Sequence, residues 1–217
     1  MNKEDILKAL KAAKEKAKQR KFAQSVDLIV NLKGLNLKKP EEQLDFLADL
    51  KNDKGKKAKV CALIGRESEN AAKDGADTII LQEEFEKYSR DKKLVKKLAD
   101  EHDFFVAQAN LMGQVATTFG RILGPKGKMP NPKAGCIVPP KAALKPLYIK
   151  LQNTVRVSAK TAPVVQCRLG HEGMTDEQLA QNFKVVYDQL IHSLPSGEDN
   201  VKAAFLKLTM GKPVRVK

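Results

Sequence analysis

Three cysteines, three histidines, a basic loop rich in glycine and proline, and a Thr-Met-Gly tripeptide are the places in this chain where residue types could carry chemistry. Cys61, Cys136 and Cys167 lie far apart. A zinc site or a disulfide scaffold wants pairs at short spacing, and the chain has no CxxC, so buried free thiols are expected. His102, His171 and His192 are equally scattered and leave no His/Cys constellation for a metal. No GxSxG is present, and no Ser or Cys sits in a recognisable setting with a histidine. Glu83, Glu84 and Glu86 fall among lysines on helical stretches, where solvated faces account for them. No catalytic residue, metal or cofactor is expected.

The loop LGPKGKMPNPKAG, residues 123–135, brings Gly and Lys together as a phosphate-cradling loop would. It fails that test, because Lys128 is followed by Met129 where a Ser or Thr would hold magnesium. Nor does GxGxxG follow KVCALIG, which ends at a lone Gly65. A rigid basic loop meeting RNA, or a structural turn, fits better than nucleotide binding. TMGKP, residues 209–213, differs in kind: a hydroxyl, a flexible apolar Met and a Gly that admits close backbone approach would suit packing on RNA sugars. An ordinary exit from a strand explains the same tripeptide.

Composition narrows the partner. The 217 residues carry a net charge of +14, with a pI near 9.6. That excess points to a polyanion, either nucleic acid or an anionic membrane surface. From Phe104 to Arg168 there are ten basic residues and no Asp or Glu, the next carboxylate being Glu172. Such a run repels itself unless a polyphosphate lies nearby. No apolar run reaches the ~20 residues of a membrane span, and the charged start lacks the apolar core of a secretory signal, so a cytosolic protein is expected. Aromatics are only 5% and Trp is missing, so the core must be built from Val, Ile, Leu and Ala.

These residues need elements to position them. Ile6, Leu10, Ala13 and Ala17 predict an amphipathic helix over 3–20. SVDLIVNLKGLN alternates, turning Val26, Leu28, Val30 and Leu32 to one side as a half-buried strand. A polar stretch ending in NDKGKK, 52–57, reads as a linker. KVCALIG (59–65), DTIIL (77–81) and FFVAQ (104–108) then read as buried strands. Helical stretches lie between and after them, one at 91–101 with Leu94, Val95 and Leu98 inward, another over NLMGQVATTFGRIL. A helical segment at 141–152 closes this block. Alternating strands return at TVRVS (154–158) and PVVQCRLG (163–170). They are followed by a helix with Thr175 as N-cap, Gln178 three residues on, and Leu179, Phe183, Val186 and Leu190 as its stripe. A PSGEDN turn and a last strand, AAFLKL, precede the tail. The two ends therefore look alike and the middle differs. The expectation is a discontinuous α+β domain (1–57 and 154–217) of split β-α-β type, with an inserted Rossmann-like parallel α/β domain (58–153) and a natural hinge at the two crossings.

KFAQSVDLIVNLK, LGPKGKMPNP, MTDEQLAQNF and KLTMGKPVRVK, in that order, resemble the large-subunit ribosomal protein L-one family. NKEDILKALKAAKE and DKKLVKKLADEHDFFVAQANLM resemble its archaeal type. The resemblance covers essentially the whole chain. It implies a first domain, made of both termini, that binds large-subunit ribosomal RNA at the base of a mobile stalk. It also implies contact with exit-site tRNA, aiding its release, and repression of translation through the leader of the protein's own messenger RNA. The free protein would be a monomer. The implied RNA-facing residues are Lys21, Phe22, Gln24 and Ser25 on one side and Thr209, Met210 and Gly211 on the other. Lys207 and Lys212 flank the second group, and Lys160 lies after the 154–158 strand. Two departures stand out: Ala203 replaces a Ser common six residues before the threonine, and Lys160-Thr161 stands where relatives often have Asp-Lys. A nucleotide-binding α/β enzyme and a basic membrane-surface protein are the alternative readings.

Overall fold

The computed structural model describes residues 2–18, 20–140 and 142–216, with the backbone alone for Pro40 and Lys133. The chain begins with α1 (Lys3–Glu15), β1 (Ser25–Leu32) and β2 (Leu44–Asp49). Next come β3 (Val60–Ile64), α2 (Glu69–Ala72), β4 (Thr78–Leu81), α3 (Phe85–Arg90), α4 (Lys92–Glu101) and β5 (Phe104–Gln108). These are followed by α5 (Met112–Leu123), β6 (Ile137–Val138) and α6 (Lys145–Asn153). The last part holds β7 (Thr154–Ala159), β8 (Val164–His171), α7 (Asp176–Ser193), β9 (Val201–Leu208) and β10 (Val214–Arg215). Contacts divide the chain into two compact units, Met1–Lys56 with Asn153–Lys217, and Lys57–Gln152.

The first unit holds an antiparallel sheet in the order β10-β9-β1-β8 and a separate antiparallel pair, β2 with β7. β8 and β9 run parallel with β1 between them, and α7 links them, which is a split β-α-β. Val26, Leu28, Val30 and Leu32 are buried as their alternation predicts, and pack with Ile6 and Leu10 of α1 and Leu179, Phe183, Val186 and Leu190 of α7. The α7 start is a complete capping box: the Thr175 hydroxyl accepts from Gln178 N, and the Gln178 side chain accepts from Thr175 N. Lys14 Nζ reaches Asp176 Oδ1 at 2.6 Å and so ties α1 to this end of α7.

The structure departs from expectation at several places here. α1 ends at Glu15 rather than 20, leaving Ala17 beyond it; Gln19, within the expected helix, lies outside the described residues. Past Glu15 only Ala17 could be buried, and Lys14/Lys18 and Lys16/Arg20 would be like charges four apart on a helix. The polar stretch before 52–57 contains β2, whose Leu44, Phe46 and Ala48 pair with Ala159, Val157 and Val155. The 52–57 segment is no free linker either, since Lys54 is buried and its ammonium donates to the Thr154 carbonyl.

The second unit is a parallel sheet in the order β4-β3-β5-β6. Every residue of β3 is buried, as a strand covered on both faces requires. One face packs Cys61, Leu63 and Phe105 against Phe85 of α3, Val95 and Leu98 of α4, and Val115 and Phe119 of α5. Phe85 and Phe119 meet edge to face at 5.4 Å. On the other face Val60, Ala62, Ile64 and Val106 are equally buried. The helical segment expected from 141 begins only at Lys145, and Lys141 lies outside the described residues.

The 123–135 loop is tied into this unit by its own backbone turns and lysines. Gly127 and Gly135 have φ of +65° and +73°, and Met129 packs against the core. Lys128 Nζ donates to the carbonyls of Ala99 and His102 at 2.8 and 2.7 Å, satisfying the C-terminal end of α4. Lys126 pairs with Asp100.

Candidate nucleic-acid interface

β1 begins where β9 ends, and that edge of the first unit joins the two halves of the expected site. Thr209 N donates to the Ser25 carbonyl at 3.0 Å, and Ser25 N donates to Thr209 Oγ1 at 2.9 Å. The two hydroxyls also lie 2.9 Å apart, and Ser25 Oγ donates to Asp27 Oδ1. Gln24 works the same junction from beneath. It is 1% exposed, its Oε1 accepts from Met210 N at 3.2 Å, and its Nε2 donates to the Lys18 carbonyl at 3.2 Å. Its own carbonyl accepts from Glu172 N. Gln24 and Ser25 are thus buried brackets that hold the surface from within, Ser25 also edging a neighbouring groove.

What they hold outward is apolar. Phe22 is 51% and Met210 61% exposed, two of the three large hydrophobic side chains that stand out among the described residues. Two exposed apolar side chains beside a junction of buried polar groups make this edge the candidate contact surface. Gly211 closes the turn with N donating to the Leu208 carbonyl at 2.9 Å, and a Cβ there would come within 3.3 Å of Leu208 Cβ. Lys21 and Lys212 are exposed beside the pair, and Lys207 lies across from Asp27 on the sheet face that alternates with the core positions.

Lys160 is not brought to this cluster. It precedes β8, whose Val164 end pairs with Asn31, whereas the cluster sits at the His171 end beside Ser25. Seven strand residues at about 3.3 Å each separate the two ends by roughly 20 Å. Its Nζ lies 2.7 Å from Asp45 Oδ2, and Arg156 Nε lies 2.8 Å from Asp45 Oδ1. The hydrogen bond from Arg156, helped by Lys160, holds the Asp45 carboxyl below its ordinary range despite partial burial.

The basic run from 104 to 168 is therefore partly compensated in space. Lys126, Arg156 and Lys160 meet carboxylates from other parts of the chain.

A groove of about 430 Å³ opens beside Ser25 and Thr209, lined also by Lys54, Gly55, Lys56, Arg168 and His171. Sequence reading missed these residues. The readable signals were the glycine inside DKGKK and the alternation of Gln166 and Arg168 with buried neighbours along β8.

The remaining candidates are structural. Burial pushes the thiols of Cys61 and Cys167 up to about 12 and that of Cys136 to about 11. The His102 ring is buried between the Leu98 carbonyl and the Thr78 hydroxyl. Among the described residues no group of His, Cys, Asp or Glu could hold a metal ion, and no helix is long and apolar enough to cross a membrane.

Comparison with known proteins agrees with the resemblance read from the motifs. The profile of the family described as "Ribosomal protein L1p/L10e family" matches residues 10–212. "Large ribosomal subunit protein uL1" of Methanothermococcus thermolithotrophicus is 41% identical over 216 residues, covering 100% of this chain and 99% of the relative. The protein of that name from Methanobrevibacter smithii is 41% identical over 214 residues, covering 98% and 99%. That of Methanocaldococcus jannaschii is 38% identical over 217 residues, covering 100% and 97%.

Proposed function

The chain belongs to the ribosomal protein L1p/L10e family, and we propose that its first unit grips large-subunit ribosomal RNA in the stalk region through the face centred on Phe22 and Met210. As a member of this family it is a component of the large ribosomal subunit and not an enzyme.

The observation that carries the RNA reading is the lock between the two chain ends. Buried Gln24 and Ser25 hold the Thr209-Met210 turn and leave two apolar side chains facing outward. The face is mostly uncharged at its centre and cationic at its rim, with Lys21, Lys207 and Lys212 around it. Such a surface suits the wide, shallow minor groove of an RNA helix, where shape and 2′-OH groups are read. The lysines supply the salt-dependent part of the affinity. Two further roles rest on the family alone: contact with exit-site tRNA that aids its release, and repression of the protein's own messenger RNA through a leader that mimics the ribosomal site. Off the ribosome the chain acts as a monomer.

A gel-shift competition tests the proposal. Stalk ribosomal RNA, the leader of the protein's own messenger and an unrelated RNA duplex of equal length compete for the full chain at two salt concentrations. The stalk and leader RNAs displace each other, and the unrelated duplex fails to compete at the higher salt. Equal competition by the unrelated duplex would leave only charge attraction and end the reading.

A further inference from the structure

The groove beside the Ser25–Thr209 lock has a construction of its own, and the role inferred for it below rests on the RNA-face reading and deepens it. Gly55 has φ +82°, and a Cβ there would lie 2.3 Å from His171 Cδ2, so only glycine lets residues 54–56 fold this closely onto the end of β8. Asp53 Oδ1 accepts from Gly55 N at 3.1 Å and fixes that turn. Lys54 is buried with its ammonium on the Thr154 carbonyl at 3.1 Å, which anchors the segment from the other side.

The charges in the groove are of one sign. No carboxylate lines it. Asp27 and Asp53, close in sequence to the lining, are turned to Ser25 Oγ and Gly55 N. Lys56 and Arg168 are exposed, and neither side chain has a hydrogen-bond or ion-pair partner among the described residues. Lys126, Arg156 and Lys160, by contrast, are all paired. Uncompensated cations in a concavity focus the field on whatever enters it. Phe22 adds an aromatic wall that is half exposed.

At about 430 Å³ the groove has the size of a pocket for a single small ligand. We infer that it holds one nucleotide of the bound RNA, the base laid on the Phe22 ring and the phosphate taken by Lys56 and Arg168. Aromatic stacking of an unstacked base beside a cationic backbone site is a general mode of RNA recognition. A continuous duplex is far too wide to enter a groove of this size, whereas one unstacked nucleotide beside the helix is not.

The test uses the full chain and a stalk ribosomal RNA fragment, with affinity measured by filter binding across a salt series and zero-length ultraviolet cross-linking read by peptide mapping. Lys56→Gln with Arg168→Gln is compared with Lys92→Gln and Lys96→Gln, an equal loss of exposed charge on α4. The groove pair is expected to weaken binding about tenfold and to lower the slope of log affinity against log salt by about one, with the α4 pair leaving the slope unchanged. One nucleotide is expected to cross-link to Phe22, and less so in the groove pair. Wild-type affinity and slope in the groove pair would overturn the inference, and so would an equal fall in the α4 pair. A changed slope with no cross-link to Phe22 would reduce the contact to a phosphate and overturn the nucleotide. Met210→Asp separates the two levels. If it abolishes binding while the groove pair does not, only the groove inference falls; if the wild-type chain ignores the fragment, the RNA face falls with it.

Discussion

Ser25 and Thr209 stand 184 positions apart and hold each other twice, the amide of each donating to an oxygen of the other at 2.9 and 3.0 Å. The hydroxyl of Thr209 is thereby committed to the protein before any RNA arrives. A residue implied by family resemblance as a contact is, on this geometry, first a clasp between the two chain ends.

Thr209→Val keeps the shape and removes the acceptor for Ser25 N. The first unit loses about 1 kcal/mol in urea unfolding, and RNA affinity falls along with it. Thr209→Ser restores both. If Val matched wild type in stability, the clasp would carry no weight.

Met210→Asp and Lys126→Ala separate the proposed face from the basic loop. Met210 is exposed, so the Asp variant keeps its stability within about 0.5 kcal/mol, yet loses about thirtyfold or more in RNA affinity as a hot spot would. Lys126 is already paired with Asp100, and its loss changes RNA affinity little. Filter binding of both variants to the same fragment decides between them. A larger loss for Lys126→Ala would move the interface to the 123–135 loop.

Asp45→Asn tests the ion-pair cluster with Arg156 and Lys160 by its pH dependence. The Asp45 carboxyl is held below its unfolded value of 3.8, so the stability it contributes is fully present above about pH 4 and disappears as pH falls through the lower folded value. Wild type exceeds Asp45→Asn by about 0.5–1 kcal/mol at pH 7, and the difference closes below pH ~3.8. A difference that persisted unchanged at pH ~2 would rule out the assignment.

Cys61, Cys136 and Cys167 are buried thiols pushed up to about 12, 11 and 12, so little thiolate exists near neutrality. A chromogenic disulfide reagent at pH ~8 leaves the native chain unlabelled over minutes and titrates three thiols once it is unfolded. Fast labelling of one thiol in the native state would show that it is accessible.

What could be read from the chain alone follows a physical divide. Strong periodicity was legible: the alternation of Val26, Leu28, Val30 and Leu32, the continuous run of β3, and the Thr175–Gln178 box all formed as read. Marginal elements were not. β2 pairs with β7 more than a hundred residues later and β10, two residues long, pairs with β9, so their short local patterns were too weak to read as strands. Charge was misleading in one dimension. The run from Phe104 to Arg168 has no carboxylate in sequence but finds Asp45 and Asp100 in space. Of the site, Phe22 and Met210 emerge exposed, whereas Gln24 and Ser25 turn inward, because a residue's type does not say whether its hydrogen bonds serve a partner or the fold. Lys56 and Arg168 were hidden for a related reason: a glycine in a lysine-rich stretch reads as a linker until His171 is seen beneath it.

Both chain ends together form the surface proposed to grip RNA, and every residue named for it lies in the first unit. A chain joining residues 1–56 directly to 153–217 puts that to the proof, with cooperative unfolding as the check that it folds and affinity for the stalk fragment as the readout. Binding within about tenfold of the full chain is expected. A folded joined chain that ignores RNA which the full chain binds would refute the two-ended surface.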